Sequence, residues 1–164
     1  MNKLVMGIAG ALLLLGAQAH ALRIAYVDIA KVFDRYEGTQ KAKEELKGKA
    51  ESEKGKLEKD QDKLKKKLDD LQAKKKALTE ENYAKQEKAV MKEIQDLQGR
   101  IQSVQGDLVG QEKQLTGQIL EEIREVVKKV ADKEKYDYVL ELNALLYGGT
   151  EITATVIREL NEKK

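Results

Sequence analysis

The side chains that could do chemistry in this sequence are almost entirely lysines, glutamates and aspartates. The chain has 31 Lys plus Arg and 29 Asp plus Glu, but no cysteine and a single histidine, His20. No group of these residues has metal-ligand spacing, and no glycine-rich loop is present to cradle a phosphate. Carboxylates interspersed with lysines are typical of a solvated helix face. The sequence therefore predicts a protein that is not an enzyme and that has no cofactor and no metal.

The densest charge is a basic rim, seven lysines within residues 63–76 that face only two aspartates in that segment. One interpretation is a positive surface that attracts acidic clients or an anionic membrane, an effect that salt would screen. The other is ordinary solubilisation, with the charge balanced by acidic residues between 80 and 96. Nucleic-acid binding is disfavoured, because no aromatic residue is interleaved for base stacking. The rim consists of Lys63, Lys65, Lys66, Lys67, Lys74, Lys75 and Lys76.

Helices must position these charges, because residues 39–131 contain no proline and a single aromatic residue, Tyr83. From Val90 to Leu108 the apolar residues step by 4, 3, 4, 3 and 4, the period of a coiled coil. Leu57, Leu64, Leu71 and Leu78 form a second stripe seven residues apart. A helix that is polar on most sides needs a partner helix.

The partner is predicted to be the other half of the same segment. Continuing the first stripe would place Lys85 and Lys92 in the seam, so the two halves do not share one register. Thr79 followed by two glutamates suits a new helix start. We therefore expect a helical hairpin with its tip near residues 78–84 and arms of about 40 residues, or roughly 60 Å. One continuous rod with a stutter is the alternative.

Residues 1–21 have the three parts of a secretory signal peptide. Lys3 is positive, residues 4–16 are apolar but too short to span a bilayer, and small residues flank cleavage sites at Ala19 and Ala21. A retained membrane anchor is the less favoured alternative, and no cysteine follows for lipid attachment. We expect an exported protein with a nearly neutral mature chain.

The two chain ends differ from the charged middle. Residues 22–28 and 136–142 alternate in polarity as strands do, and residues 145–147 suggest another short strand. Asp28 suits a helix N-cap, and Thr150 is a candidate cap for a closing helix. We predict an α+β, mostly α fold. A long antiparallel coiled-coil hairpin (39–132) projects from a small β-rich body (22–38 and 133–164). The body has too few residues to close a hydrophobic core alone, and we therefore expect an oligomer.

The signal peptide, the charged hairpin and the end segments together resemble the Skp (OmpH-like) family of periplasmic chaperones. The resemblance implies a homotrimer whose helical arms enclose a cavity. It also implies a holdase that keeps unfolded outer-membrane proteins soluble without ATP, with anionic lipid or lipopolysaccharide as further partners. The end segments that carry it are IAYVD at 24–28, KVF at 31–33, Asn143-Ala144, Tyr147, Ile152-Thr153, Val156 and Leu160.

Two sets of residues are candidates for binding in such an assembly. The first set would line the client cavity, although the hairpin core is the favoured alternative for each member, and many weak contacts would suit promiscuous binding. It consists of Leu68, Tyr83, Met91, Val109, Leu120 and Val127. The second set would form the trimer body. It consists of Ile24, Tyr26, Val27, Tyr138, Leu140 and Tyr147.

Glycines are the unexpected feature of the arms. Six of them fall two residues from a seam position, and each costs roughly 1 kcal/mol relative to alanine in a helix interior. They are hinge candidates that would let the cavity adapt to clients of different size, or they reflect drift on a face where packing does not select against glycine. The six are Gly48, Gly55, Gly99, Gly106, Gly110 and Gly117.

Two other classes of function remain open. A structural or adaptor coiled coil of the periplasm would form a closed rod and would not prevent aggregation of denatured proteins. An anionic-lipid-binding module would bind vesicles through the basic rim in a salt-dependent way. The tyrosine-bearing ends favour client capture over a plain rod, which needs no β-rich body.

Overall fold

Helix caps and apolar stripes divide the chain into four helices and three short strands within residues 21–162, the part that the computed structural model describes. The signal peptide prediction falls outside these residues except for Ala21. The described elements are β1 (Ile24–Val27), α1 (Ile29–Arg35), α2 (Glu37–Ala73), α3 (Glu80–Glu134), β2 (Tyr138–Glu141), a 3₁₀ turn (Leu142–Ala144), β3 (Thr150–Glu151) and α4 (Thr153–Glu162).

The hairpin prediction is confirmed, and the continuous rod is excluded. Helices α2 and α3 lie side by side, and two ion pairs cross between them: Lys67 to Glu93 at 2.7 Å and Arg100 to Asp60 at 2.5 Å. The turn occupies residues 74–79, slightly before the predicted tip. Thr79 caps α3 as expected, because its hydroxyl accepts from the backbone N–H of Asn82 at 3.4 Å.

Two apolar clusters hold the hairpin, one near the tip and one at its base. The distal cluster buries Leu64, Leu71 and Val90, with Leu78, Tyr83, Ile94 and Leu97 packed around it. In the described part of α2, no side chain between Thr39 and Leu64 is buried, nor is any in α3 between Val90 and Ile119. The middle of the arm is therefore packed less tightly than either end.

The three strands form one sheet with the order β2-β1-β3, and both outer strands run parallel to β1. In the first pair Ile24 faces Tyr138, and in the second Ala25 faces Thr150. A parallel pair needs a long crossover connection. Here the crossover from β1 to β2 is α1 together with the whole hairpin, which explains how a small body can carry a long projection.

The body core draws on more of the chain than its two ends. Four buried residues on the last turns of α3 complete it, so it extends beyond the predicted segments 22–38 and 133–164. The ends alone contribute too few apolar side chains to close a core. The buried residues are Ala25, Val27, Val32, Ile119, Ile123, Val126, Val130, Ile152, Val156 and Leu160.

The segment between β2 and α4 differs from the sequence prediction in two ways. Residues 145–147 form no strand, and the side chains of Leu146 and Tyr147 are almost completely exposed to solvent. Thr150 is not a helix cap but part of β3, and α4 begins at Thr153. Gly148 and Gly149 have φ angles of 84° and 86°, which glycine adopts without strain. These two glycines turn the chain into β3.

No helix within residues 21–162 is long and apolar enough to cross a bilayer.

Candidate functional site

Three of the predicted client-binding residues are open to solvent on the arms. Leu68 is 40% exposed, Met91 54% and Val109 50%. Leu68 on α2 and Met91 on α3 lie at nearly the same height near the tip, and Val109 on α3 lies nearer the base, so the apolar groups fall at two levels of the hairpin. Such dispersed contacts can hold unfolded chains of varied sequence.

The other three predicted client-binding residues are half-buried against the two clusters. Tyr83 packs on the distal cluster, with the Lys75 ammonium 5.5 Å from its ring centre. Leu120 and Val127 pack against the body core at the base of α3. These positions agree with the alternative that they belong to the packing of the hairpin.

The basic rim divides into balanced and unbalanced lysines. Lys67 bonds to Glu93 across the hairpin, and Lys63 lies 3.5 Å from Asp60. Of the other five, Lys75 lies over the Tyr83 ring, and residues 65, 66, 74 and 76 are exposed and form no ion pair with another described residue. The ion pairs of Lys63 and Lys67 agree with charge balance on the hairpin, whereas the positive-surface interpretation stays a prediction for the unpaired lysines.

The six hinge-candidate glycines lie along the arms, and most fall in the loosely packed middle. A Cβ built on any of them would meet no atom within 4 Å, so packing does not require glycine there. The cross-hairpin pairs Asp60–Arg100 and Lys67–Glu93 place residues whose numbers sum to 160 at the same height. Gly55 and Gly106 are therefore nearly level, and both helices are weakened at one point of the arm.

A group of polar residues joins the hairpin to the body, and the sequence did not predict this polar joint. Tyr36 separates α1 from α2, and its hydroxyl donates to a Glu122 carboxylate oxygen on α3 at 2.7 Å. Burial, together with this hydrogen bond, raises the pKa of Tyr36 to about 12. Asn161 of α4 accepts from the Glu37 backbone N–H at 3.0 Å and donates to the Arg35 carbonyl at 3.4 Å.

The same joint contains an unpaired polar atom. Thr39 is fully buried, and its hydroxyl has no hydrogen-bond partner among the described residues. Leaving a buried hydroxyl unpaired costs about 1–3 kcal/mol. The sequence signal is the Gly38-Thr39 pair, where the sequence places the boundary of the arm and where Gly38 is expected to loosen the join between body and arm.

Five of the six residues predicted for the trimer body have some exposed surface. Tyr138 and Tyr147 are exposed, and Ile24, Tyr26 and Leu140 are half-buried. Val27 differs from the other five, because its side chain is 3% exposed and packs inside the core of its own chain. It faces inward from β1, since alternate strand residues point to opposite faces.

Within residues 21–162, no cluster of three or more acidic, histidine or cysteine side chains could hold a metal ion.

Comparison with known proteins agrees with this architecture. The family model for outer membrane protein (OmpH-like) matches residues 23–160. Among solved structures, the fold is similar to that of a candidate outer membrane chaperone (OmpH-like) from Caulobacter crescentus. The TM-score is 0.81 at 15% identity, over 88% of this chain and 86% of that one. No curated protein matches the sequence. With most of its length matched by the family model, the chain belongs to the OmpH-like family.

Proposed function

We propose that the protein is an ATP-independent periplasmic holdase chaperone that binds unfolded outer-membrane β-barrel proteins between its helical arms. The observation that carries the proposal is the set of exposed apolar side chains at Leu68, Met91 and Val109, at two levels of a hairpin that projects from the body. Family membership and the chaperone name of the similar Caulobacter crescentus protein support the chaperone role. The family also supports a periplasmic location.

The arms provide length and weak apolar contact rather than a shaped pocket. Helix α3 has 55 residues, which at 1.5 Å per residue gives roughly 80 Å. Burying one Leu, Met or Val side chain yields about 1.5–3 kcal/mol, so several partial contacts hold a client without any one being decisive. No nucleotide is needed, because binding and release are reversible.

A cavity between arms requires more than one copy of the chain. We propose a homotrimer joined at the body through Ile24, Tyr26, Tyr138, Leu140 and Tyr147. Exposed aromatic residues at the edge of a small sheet are typical of an interface that another chain covers. Three hairpins held at their bases would leave a space between them.

Small-angle scattering combined with light-scattering mass tests this function on the mature chain, residues 22–164. A trimeric mass, an open-armed shape and one soluble urea-denatured β-barrel per trimer support the holdase. A variant with Leu68, Met91 and Val109 changed to Ser should hold less client. A control with Gln61, Gln86 and Gln105 changed to Ser should not. A trimer that leaves the barrel to precipitate would instead favour the adaptor coiled coil.

The exposed lysines without ion-pair partners favour a second function, binding to anionic lipid. Vesicles with and without anionic lipid should distinguish it, and binding should fall with salt. Changing Lys65 and Lys66 to Gln should weaken vesicle binding. Changing Lys67, which is already paired with Glu93, should weaken it less. Equal effects of all three changes would contradict a role for the unpaired part of the rim.

A further inference from the structure

The joint formed by residues 36–39 is where the body meets one of the two arm helices. Helix α1 ends at Arg35 and α2 begins at Glu37, with only Tyr36 in extended conformation between them (φ −75°, ψ 124°). Helix α3, in contrast, passes from the arm into the body core without a break. The direction of α2 relative to the body therefore depends on this joint.

Side chains from two body-side helices hold the joint. Glu122 on α3 accepts from the Tyr36 hydroxyl, and Asn161 on α4 bridges the break by bonding to Glu37 and Arg35 on its two sides. Asn161 thus takes the place of a side-chain cap, since Tyr36 makes no cap hydrogen bond of its own at the start of α2. Together these bonds hold α2 against the body.

Two features of the joint are unfavourable in this arrangement. The Tyr36 ring lies across Gly38, where an added Cβ would come within 2.5 Å of two ring atoms, so the packing requires glycine in the first turn of α2. The Thr39 hydroxyl is buried without a partner. Both residues would suit a helix that starts three residues later, since threonine is a preferred N-cap and glycine adopts the varied backbone angles of a preceding linker.

We propose that the joint is a two-state device that sets the direction of the arm. In the closed state described here, α2 begins at Glu37 and is tied to Asn161 and Glu122. In the open state α2 begins after Thr39, whose hydroxyl accepts from the backbone N–H of Lys41 or Ala42. The open state loses the bonds to Asn161 and Glu122 and gains the threonine cap.

Opening frees the base of α2 while α3 stays anchored in the core. The arm then tilts, and in the proposed chaperone this would change the width of the client cavity. That consequence rests on the proposed function, but the two states themselves do not. They are measured without a client, so a failure of the joint and a failure of the holdase can be told apart.

Spin-label distances between positions 44 and 158 test the device. The chain has no cysteine, so Glu44→Cys and Arg158→Cys can be labelled cleanly, and labelled chains are diluted with unlabelled ones to give distances within one chain. Position 44 lies between the joint and Gly48, so bending at the hinge-candidate glycines does not reach it. We expect two distance populations.

Matched variants should move the populations in opposite directions. Thr39→Val removes the hydroxyl and should reduce the open population by about fivefold, whereas Thr39→Ser should keep it. Asn161→Ala should raise the open population and accelerate amide exchange at Glu37 and Gly38. Asn161→Asp, which keeps the acceptor for Glu37, is the milder variant if Asn161→Ala unfolds. A single population in every variant, or the same shift for Thr39→Val and Asn161→Ala, would overturn the proposal.

Discussion

Asp28 joins three elements at the point where β1 turns into α1. Its carboxylate accepts from the Lys31 backbone N–H at 2.9 Å, which caps α1 as the sequence predicts. Its own backbone N–H donates to the Thr153 hydroxyl at 3.0 Å, which links the start of α1 to the start of α4. One short polar residue therefore orients two helices of the body.

Replacing Asp28 with Ala should lower the free energy of unfolding by about 1 kcal/mol, because the first turn of α1 loses its side-chain cap. Chemical denaturation followed by circular dichroism measures the change. Asp62→Ala, at an exposed position within α2, is the matched control and should not destabilise the protein. Equal stability of the Asp28 variant and the control would contradict the capping role.

Residues with local partners could be predicted from sequence, and residues with distant partners could not. The caps at Asp28 and Thr79 depend only on the next turn of their own helices. Thr150 was assigned as a cap wrongly, because its pairing with Ala25 in β3 joins positions far apart in the chain. The roles of Asn161 and Glu122 were missed for the same reason, since both bond to the distant joint.

Helix α4 is held against α3 by one carboxylate and two lysines. Glu159 accepts from Lys133 at 2.9 Å and from Lys129 at 3.3 Å. These hydrogen bonds from lysine hold the pKa of Glu159 below its ordinary value of 4.5. The ionised form is therefore favoured by folding.

This contact should make stability depend on pH in the acid range. Because the folded-state pKa of Glu159 lies below the unfolded-state value, its contribution is present above that unfolded value and is lost as the pH falls through the folded-state pKa. Glu159→Gln should remove this part of the acid dependence. Denaturation midpoints between pH 7 and 3 measure it. Glu45→Gln, at an exposed site on α2, should leave the acid dependence unchanged.

At the scale of elements, the hairpin could be predicted but the sheet could not. The two leucine and isoleucine stripes differ in register, and this was enough to place a turn between them. Strand alternation, in contrast, carries no information on which strand pairs with which or in which direction. Only the structure shows that β1 lies in the centre with two parallel neighbours.

The whole molecule is predicted to assemble through its exposed tyrosines. Changing Tyr138 and Tyr147 to Glu should convert the proposed trimer into monomers, because two charges would be buried at the interface without partners. Light-scattering mass measures the result. The variant with both residues changed to Phe keeps the rings and should stay trimeric. A trimeric mass for the Glu variant would place the interface elsewhere.

Arm flexibility is a second property of the whole molecule. Changing all six hinge-candidate glycines to Ala should raise the stability of the arms, by up to about 1 kcal/mol per position, and should reduce capacity for larger β-barrels. Six exposed arm residues changed to Ala provide the control: Gln61, Gln72, Gln86, Gln95, Gln98 and Gln102. Unchanged capacity for large clients in the glycine variant would contradict a hinge role.

The position of β1 in the centre of the sheet has a consequence for how the chain folds. Ile24 must pair with Tyr138, and Ala25 with Thr150, so neither edge of the sheet can form until the last segments of the chain are available. The hairpin needs only contacts between neighbouring segments and can form first. Once the hairpin has formed, the base of α2 lies beside the base of α3. The loop that must close to form the sheet then shortens from roughly a hundred residues to a few tens, which lowers the entropic free-energy cost of loop closure by on the order of 1 kcal/mol. The arm would thus act as a folding template for its own body.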